Sequence, residues 1–396
     1  MNRRLSIKLF TLSLLFLIAG CKADVIYPDQ EENGKIYDQK VELEYTRSLE
    51  FSVDSTFNID NLSSVGTFEE DDEQYVYFLT NERIYIYATE DQKLKKIIPL
   101  YYEGPDATGP FSTFDGLAIV STDSIFFLNS STGTLSHLND EGKLINKVDV
   151  GAFQSNGAFY GDFLMDIQRV DDFLMLPAYG FKTVDDYTTT FISLAYNMKQ
   201  QTGLGVFHYP DLYNKAYWGY HSYLRWASVA YIPSKQQYFV NFPIDPRVYI
   251  YDDNFKLIGE RYLGSVYFSA ILPQSEDPER RFLAEGREVP ENSAYFSKVS
   301  FFSGSLFHED LGIYVRGTRI GKDKAAGKEK VTFSLIFADE SLNKTGEYLI
   351  PDKYSFSVIF PTPEGLAFFS NEKYDWQENK IVFDVLRFKK TDGALQ

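Results

Sequence analysis

Between Tyr75 and Leu386 a unit of strand, polar turn, strand, polar turn and strand recurs six times. No single copy of such a unit can bury both of its faces, so the copies must stack on one another. The first runs Tyr75–Leu79, the turn Asn81-Glu82, Arg83–Tyr87, and then Lys95–Leu100. The second runs Gly116–Val120, Ser124–Leu128 and, after Asp140-Glu141-Gly142, Leu144–Val150. Later units centre on Phe191–Tyr196, Arg247–Tyr251, Val331–Phe337 and Lys380–Leu386. Third-strand landmarks at 84, 125, 191, 248, 333 and 381 lie 41, 66, 57, 85 and 48 residues apart. Meanders repeating every ~40 to 50 residues are the signature of propeller blades. The reading is an all-β, irregular six-bladed β-propeller, with seven blades as the alternative count and a pair of β-sandwiches as the alternative architecture. The long intervals require insertions, placed at Tyr209–Arg225 and Pro273–Ser293.

Composition agrees with that architecture. The chain has 34 Phe, 29 Tyr and 3 Trp against four Met, and aromatic side chains suit the half-buried surface of a sheet. A ring must also be closed. The chain has one cysteine, so no intrachain disulfide can close it, and strand pairing must do so. Val41–Val53 (VELEYTRSLEFSV) alternates well enough to be the closing strand, beside Ile381–Phe388.

That one cysteine has another use. Arg3, Arg4 and Lys8 form a positive n-region, and Leu9–Ile18 an apolar stretch too short to span a bilayer. Ile18-Ala19-Gly20-Cys21 then resembles a lipobox, in which small residues admit the signal peptidase and the Cys21 sulfur receives a diacylglycerol. An ordinary cleaved signal with a chance cysteine is the competing reading. The domain plan is therefore a lipoprotein signal peptide over 1–20, an acidic flexible tether over 21–40 after lipidated Cys21, and the propeller over 41–392. Loss of the three signal cations takes the formal charge from −17 to −20. Such a surface repels phosphate backbones and anionic headgroups, so nucleic acid is excluded as a partner and membrane attachment is expected through lipid on Cys21. Lys22 is not the Asp associated with inner-membrane retention, which favours the outer membrane; neither face of it is preferred.

A lipobox, an acidic tether and then ~350 residues of Tyr/Phe-rich irregular blades, with turns such as Tyr251-Asp252-Asp253-Asn254-Phe255, resemble a domain-of-unknown-function family of lipoproteins from Bacteroidetes-type bacteria. That family resembles the looser six-bladed propellers. The resemblance implies a fold and an envelope location, and no activity.

Enzyme motifs are near misses. Gly321–Glu329 has five residues between its glycines where a phosphate loop has four, and Glu where Ser or Thr should meet magnesium; a hairpin tip between strands explains it. His308-Glu309 opens like a zinc-protease motif, but Gly312 stands in place of the second His. No metal, cofactor or catalytic residue is assigned. The pairs Asp71-Asp72, Asp171-Asp172, Asp185-Asp186 and Asp252-Asp253 fall between strands, where Asp favours turns.

One stretch stands apart. Tyr209–Trp226 carries five Tyr, two Trp, a His and an Arg without strand alternation. Aromatic faces with hydrogen-bonding rims suit sugar rings, while the same residues could simply cover core. If the segment binds a ligand, Trp218, Tyr220, His221 and Arg225 are the expected contacts. The expected function is a lipid-anchored envelope propeller that binds or scaffolds a glycan, a peptide or an envelope partner. An envelope lyase or hydrolase with its site at the funnel is the alternative, and a structural subunit of an outer-membrane complex a third.

Overall fold

Six antiparallel sheets stand in a ring, each joined to the next by its aromatic and aliphatic side chains. The computed structural model describes residues 41–388 apart from 81, 154–156, 162–164, 181–184, 220, 269, 284–289, 324–326, 328 and 374–378, and omits the side chains of residues 60, 283 and 290. The signal peptide, Cys21, the tether and Tyr220 lie outside the described residues.

From the inner strand outward, blade 1 is Ser64–Glu70, Glu73–Leu79, Arg83–Ala88 and Leu94–Pro99. Blade 2 is Gly116–Ser121, Ser124–Asn129, Thr134–Leu138 and Leu144–Asp149. Blade 3 has its inner strand in two pieces, Gly157–Phe159 and Gln168–Val170, both paired with Phe173–Gly180 and followed by Phe191–Asn197 and Thr202–His208. Blade 4 is Ser228–Ile232, Gln237–Asn241, Arg247–Tyr251 and Leu257–Tyr262; blade 5 is Phe301–His308, Ile313–Ile320, Thr332–Asp339 and Lys344–Leu349. Blade 6 takes Tyr354–Thr362, Gly365–Ser370 and Lys380–Phe388 from the end of the chain and its outer strand, Leu43–Ser52, from the beginning.

That last pairing is the closure the sequence predicts. It runs antiparallel from Leu43 opposite Phe388 to Ser52 opposite Lys380, with one bulge between Tyr45 and Arg47. Because strand side chains alternate faces, Leu49 and Phe51 point inward together. The Phe51 ring meets Phe78 at 5.2 Å, Tyr87 at 5.1 Å and Phe383 at 6.0 Å, so a residue of the closing strand bonds blade 6 to blade 1. Burying a Phe side chain contributes about 1.5–3 kcal/mol, and edge-to-face pairs add to it. The core is distributed in this way between blades: one cluster lies between blades 1 and 2, another between 2 and 3, and a larger one runs through blades 3, 4 and 5.

One sequence landmark is misplaced within its blade. Ser124–Asn129 is the second strand of blade 2; the third is Thr134–Leu138, a five-residue run containing Ser136 and His137 that has little apolar signal. With third strands starting at 83, 134, 191, 247, 332 and 380, the spacings become 51, 57, 56, 85 and 48, more even than the sequence alone suggests. The remaining long interval is the connection 263–300, which includes the short helix Pro290–Lys298 where the sequence offers little helical periodicity.

A four-stranded meander sends its connections alternately to two faces. On one face, first-to-second and third-to-fourth turns have two to five residues. Here Asp71 and Asp72 both adopt left-handed backbone, the requirement of a tight two-residue hairpin turn. Asp252 accepts the backbone N–H groups of Asn254 at 3.0 Å and Lys256 at 2.8 Å. The other face receives the second-to-third and blade-to-blade connections, among them the 19 residues 209–227 and the 38 residues 263–300. Both insertions expected from sequence therefore emerge on the same face.

Candidate binding site

On that elaborated face a cavity of about 710 Å³ opens where five blade-to-blade connections and the break in the inner strand of blade 3 converge. Leu62 comes from the connection into blade 1, Phe114 from that into blade 2, Met165 from the break in the inner strand of blade 3, and Tyr223 and Trp226 from the connection into blade 4. Phe296 precedes blade 5, and Ile350 to Asp352 precede blade 6. A volume of this size is ordinary for a site that encloses a small organic ligand.

Two irregular inner strands frame the cavity between blades 5 and 6. Phe301–His308 gains an extra residue between Phe302 and Ser305, and Tyr354–Thr362 loses register between Tyr354 and Ile359. Such bulges re-aim side chains that a flat strand would send elsewhere. Ser303, Gly304 and Ser355 to Ser357, all within the irregular stretches, line the cavity. Gly317, on the next strand of blade 5, leaves the room they need: a Cβ there would meet Ser303 Oγ and would come within 2.8 Å of the Phe356 ring. Phe356 itself stacks on Phe333 at 4.5 Å.

Opposite, the wall is built by the aromatic segment singled out in the sequence. Tyr209 donates its hydroxyl to the Arg225 carbonyl at 2.7 Å and Tyr213 donates to the Leu224 carbonyl at 2.8 Å. These two buried tyrosines hold the turn 222–226, so that Tyr223 and Trp226 reach the cavity. The Trp226 indole stacks on Tyr160 at 4.7 Å and meets Tyr223 at 4.4 Å and Phe114 at 5.1 Å. Tyr223 and Phe114 remain 36% and 38% exposed, leaving ring faces open to the cavity and the solvent.

The residues expected to bind sit differently within the segment. Trp218 is buried, with its Nε1 donating to the Leu212 carbonyl at 3.2 Å, and does not line the cavity. His221 is half-buried behind the wall, stacked at 4.0 Å on Phe296, which does line it. Arg225 lies within electrostatic reach of Tyr187 and Tyr209, also behind the wall. Tyr220 is outside the described residues. Composition located the segment; only the hydrogen bonds that fix its turn say that Tyr223 and Trp226 are the residues presented.

Arg319 is the wall residue that sequence reasoning passed over. It lies opposite Phe301 on one neighbouring strand and Phe333 on the other, and both rings line the cavity. Its guanidinium stands 4.5 Å from the Phe296 ring centre and donates to the Val299 carbonyl at 2.8 Å. Burial lowers its pKa to about 10, so it remains protonated at neutral pH. A signal was available: Tyr314–Ile320 reads as a strand buried on both faces, yet it carries two arginines, which such a strand excludes unless each has work.

Carboxylates near the channel are committed to structure. Asp166 accepts hydrogen bonds from the Ser64 hydroxyl, from Tyr77 at 2.8 Å and from the Leu117 and Ile167 amides at 3.0 and 2.8 Å, tying blades 1, 2 and 3 together. Burial pushes its pKa up. Asp352, at the rim, is paired with Lys330. Among the described residues no three His, Cys, Asp or Glu side chains come together as a metal site would need, and no helix is long and apolar enough to cross a membrane.

Residues 40–174 match DUF4221, a domain of unknown function. A DUF4221 family member from Bacteroides vulgatus has the same fold, with a TM-score of 0.71 at 18% identity over 89% of this chain and 99% of that one. A Bacteroides fragilis protein described as exported reaches 0.54 at 9% identity, over 90% and 98%. At these identities the likeness carries the fold alone. No curated protein matches the chain. The resemblance to a domain-of-unknown-function family of six-bladed propellers therefore holds. The DUF4221 match ends inside blade 3, so it includes Leu62, Phe114 and Met165 of the cavity wall, whereas Tyr223, Trp226 and Arg319 lie beyond it.

Proposed function

We propose that this DUF4221 propeller is a binding module of the cell envelope, held at the outer membrane by lipid on Cys21, and that it takes the end of a glycan into the cavity on its elaborated face. The observation that carries this reading is the convergence of five blade-to-blade connections and the interrupted inner strand of blade 3 on one cavity of about 710 Å³, with the Tyr223 and Phe114 side chains partly exposed. Sugar rings present apolar faces and hydroxyl rims, which aromatic walls with scattered polar groups complement. Two-carboxylate glycoside hydrolysis requires a pair of acids across the site, and the described lining offers Asp352 alone, already paired with Lys330. Binding is thus favoured over hydrolysis. The lipid reading rests on the tetrad ending at Cys21 and on the acidic surface, which leaves acyl chains as the means of attachment.

The test is a glycan array probed with the wild-type domain and with Tyr223→Ala. Binding by the wild type that the variant loses supports the cavity as the site. Binding that Tyr223→Ala retains, or no binding by either, overturns the glycan reading. Incorporation of labelled palmitate by wild type and not by Cys21→Ala is the corresponding test of the anchor.

A further inference from the structure

Among the described residues that line the cavity, the one arginine is Arg319 and the one carboxylate is Asp352, already paired with Lys330. Arg319 is 9% exposed, yet only its Nη1 has a hydrogen bond, to the Val299 carbonyl, and among the described residues no carboxylate lies within ion-pair distance of it. Ser303 and Trp226, which also line the cavity, have a hydroxyl and an indole N–H that lie buried within the wall and have no hydrogen-bond partner among the described residues. A guanidinium held in a cavity wall with one hydrogen bond and no counter-ion indicates a missing acceptor.

We propose that the cavity takes the anionic end of an acidic saccharide, with Arg319 anchoring its carboxylate. This deepens the glycan reading and rests on it. Arg319 offers a planar fork suited to a carboxylate, and Phe296 and Phe301 hold that fork against ring faces 4.5 and 5.5 Å away, fixing its plane without consuming its donors. The acidic surface as a whole discourages polyanions. A single carboxylate in a cavity is governed instead by its neighbours, since exposed charges beyond about 8–10 Å are screened at physiological salt. A peptide carboxylate is the competing occupant. Strand addition would need a regular row of free backbone groups along an inner strand, and the irregular registers near Ser303 and at Tyr354 to Ile359 interrupt that row.

Calorimetric titration tests the assignment with three probes: a disaccharide ending in glucuronic acid, the same disaccharide ending in glucose, and an N-acetyl dipeptide with a free C-terminus. Wild type is expected to bind the acidic sugar at least about tenfold more tightly than the neutral one, the return expected for a charge-assisted pair. Arg319→Met should erase that difference by weakening the acidic sugar at least about tenfold more than the neutral one, and Arg319→Lys should restore part of it. Equal binding of the two sugars, or a preference that survives Arg319→Met, overturns the proposal while leaving the glycan cavity standing. Arg319-dependent binding of the dipeptide in place of the sugar replaces the saccharide with a peptide end. Failure of all three probes overturns both readings. A ligand-free measurement gives an independent check: Arg319→Met should melt at or above the wild-type temperature, because an anchor without its anion is no gain to the empty fold. A clear drop in melting temperature would make Arg319 a structural residue and overturn the assignment.

Discussion

Two arginines three residues apart on one strand of blade 5 are buried to a similar degree and do opposite things. Side chains alternate along a strand, so Arg316 faces blade 4 and Arg319 faces the cavity beside blade 6. Burial lowers both to about 10. Arg316 recovers that cost through five hydrogen bonds, to Asn241 Oδ1 at 2.6 Å and to the carbonyls of Pro246, Leu263, Phe242 and Asp245 at 2.6–3.4 Å. Its plane also lies 3.6 Å from the Phe302 ring centre. The seam between blades 4 and 5 is thus closed by one side chain that satisfies the loop it covers. The seam between blades 5 and 6 is left open at its mouth, with bulged strands and unused donors. A propeller has nearly equivalent seams, so one that is left unsatisfied marks where selection has kept something other than stability.

The largest expected effect tests the closed seam. Arg316→Met removes every one of those bonds and leaves four carbonyls and an amide oxygen short of donors, which should cost about 3–5 kcal/mol in a urea unfolding midpoint analysis. If the loss were under about 1 kcal/mol, the contrast between the two arginines would collapse.

Asp115 sharpens the comparison from the acidic side. It adjoins Phe114 of the wall, is fully buried, and accepts the Ser112 and Ser130 amides at 2.8 Å each and the Ser130 hydroxyl at 2.9 Å, yet has no cation against it among the described residues. Burial raises its pKa to about 6 despite those bonds. The folded state therefore holds its proton longer than the unfolded chain. The associated stability is present below about pH 4 and is lost as pH rises through 6. Asp115→Asn abolishes that dependence, so the stability difference between wild type and variant should move in favour of the variant by about 2–3 kcal/mol between roughly pH 3.5 and 7. A difference that stays constant with pH contradicts the assignment.

A smaller effect tests the open seam. Gly317→Ala inserts a methyl between Ser303 Oγ and the Phe356 ring, both of which can swing away into the cavity. The expected cost is about 1–2 kcal/mol by thermal unfolding, together with loss of ligand binding, because the displaced groups occupy the site.

How much of this was legible in the sequence follows from what each signal depends on. The closing strand was readable because Leu49 and Phe51 alternate with Ser48, Glu50 and Ser52, a pattern local to one strand. The third strand of blade 2 was not, because Thr134–Leu138 owes its place to pairing with Ser124–Asn129 and Leu144–Asp149 rather than to its own composition. The aromatic insertion announced itself by content. The division of labour inside it did not, since whether Tyr209 or Tyr223 faces a ligand depends on which hydroxyl finds a carbonyl sixteen or eleven residues away, as those of Tyr209 and Tyr213 do. Arg319 was hidden for a related reason: the sequence shows two arginines in an apolar strand, and only the neighbouring blades show which one is satisfied.

The smallest change in stability is expected at Tyr223, and it separates the two seams most cleanly. Its ring is 36% exposed and packs on Trp226 and Phe296, both of which are held by other contacts, Trp226 through Tyr160 and Phe296 through His221 and Arg319. Tyr223→Ala should therefore shift the unfolding free energy by no more than about 1 kcal/mol, while glycan binding falls below detection because an open ring face has been removed from the wall. Arg316→Met should do the reverse, weakening the fold heavily while the fraction that remains folded keeps its affinity. If instead the two variants lose stability and binding in proportion, the open seam is only a weaker version of the closed one, and the cavity has no role apart from the packing around it.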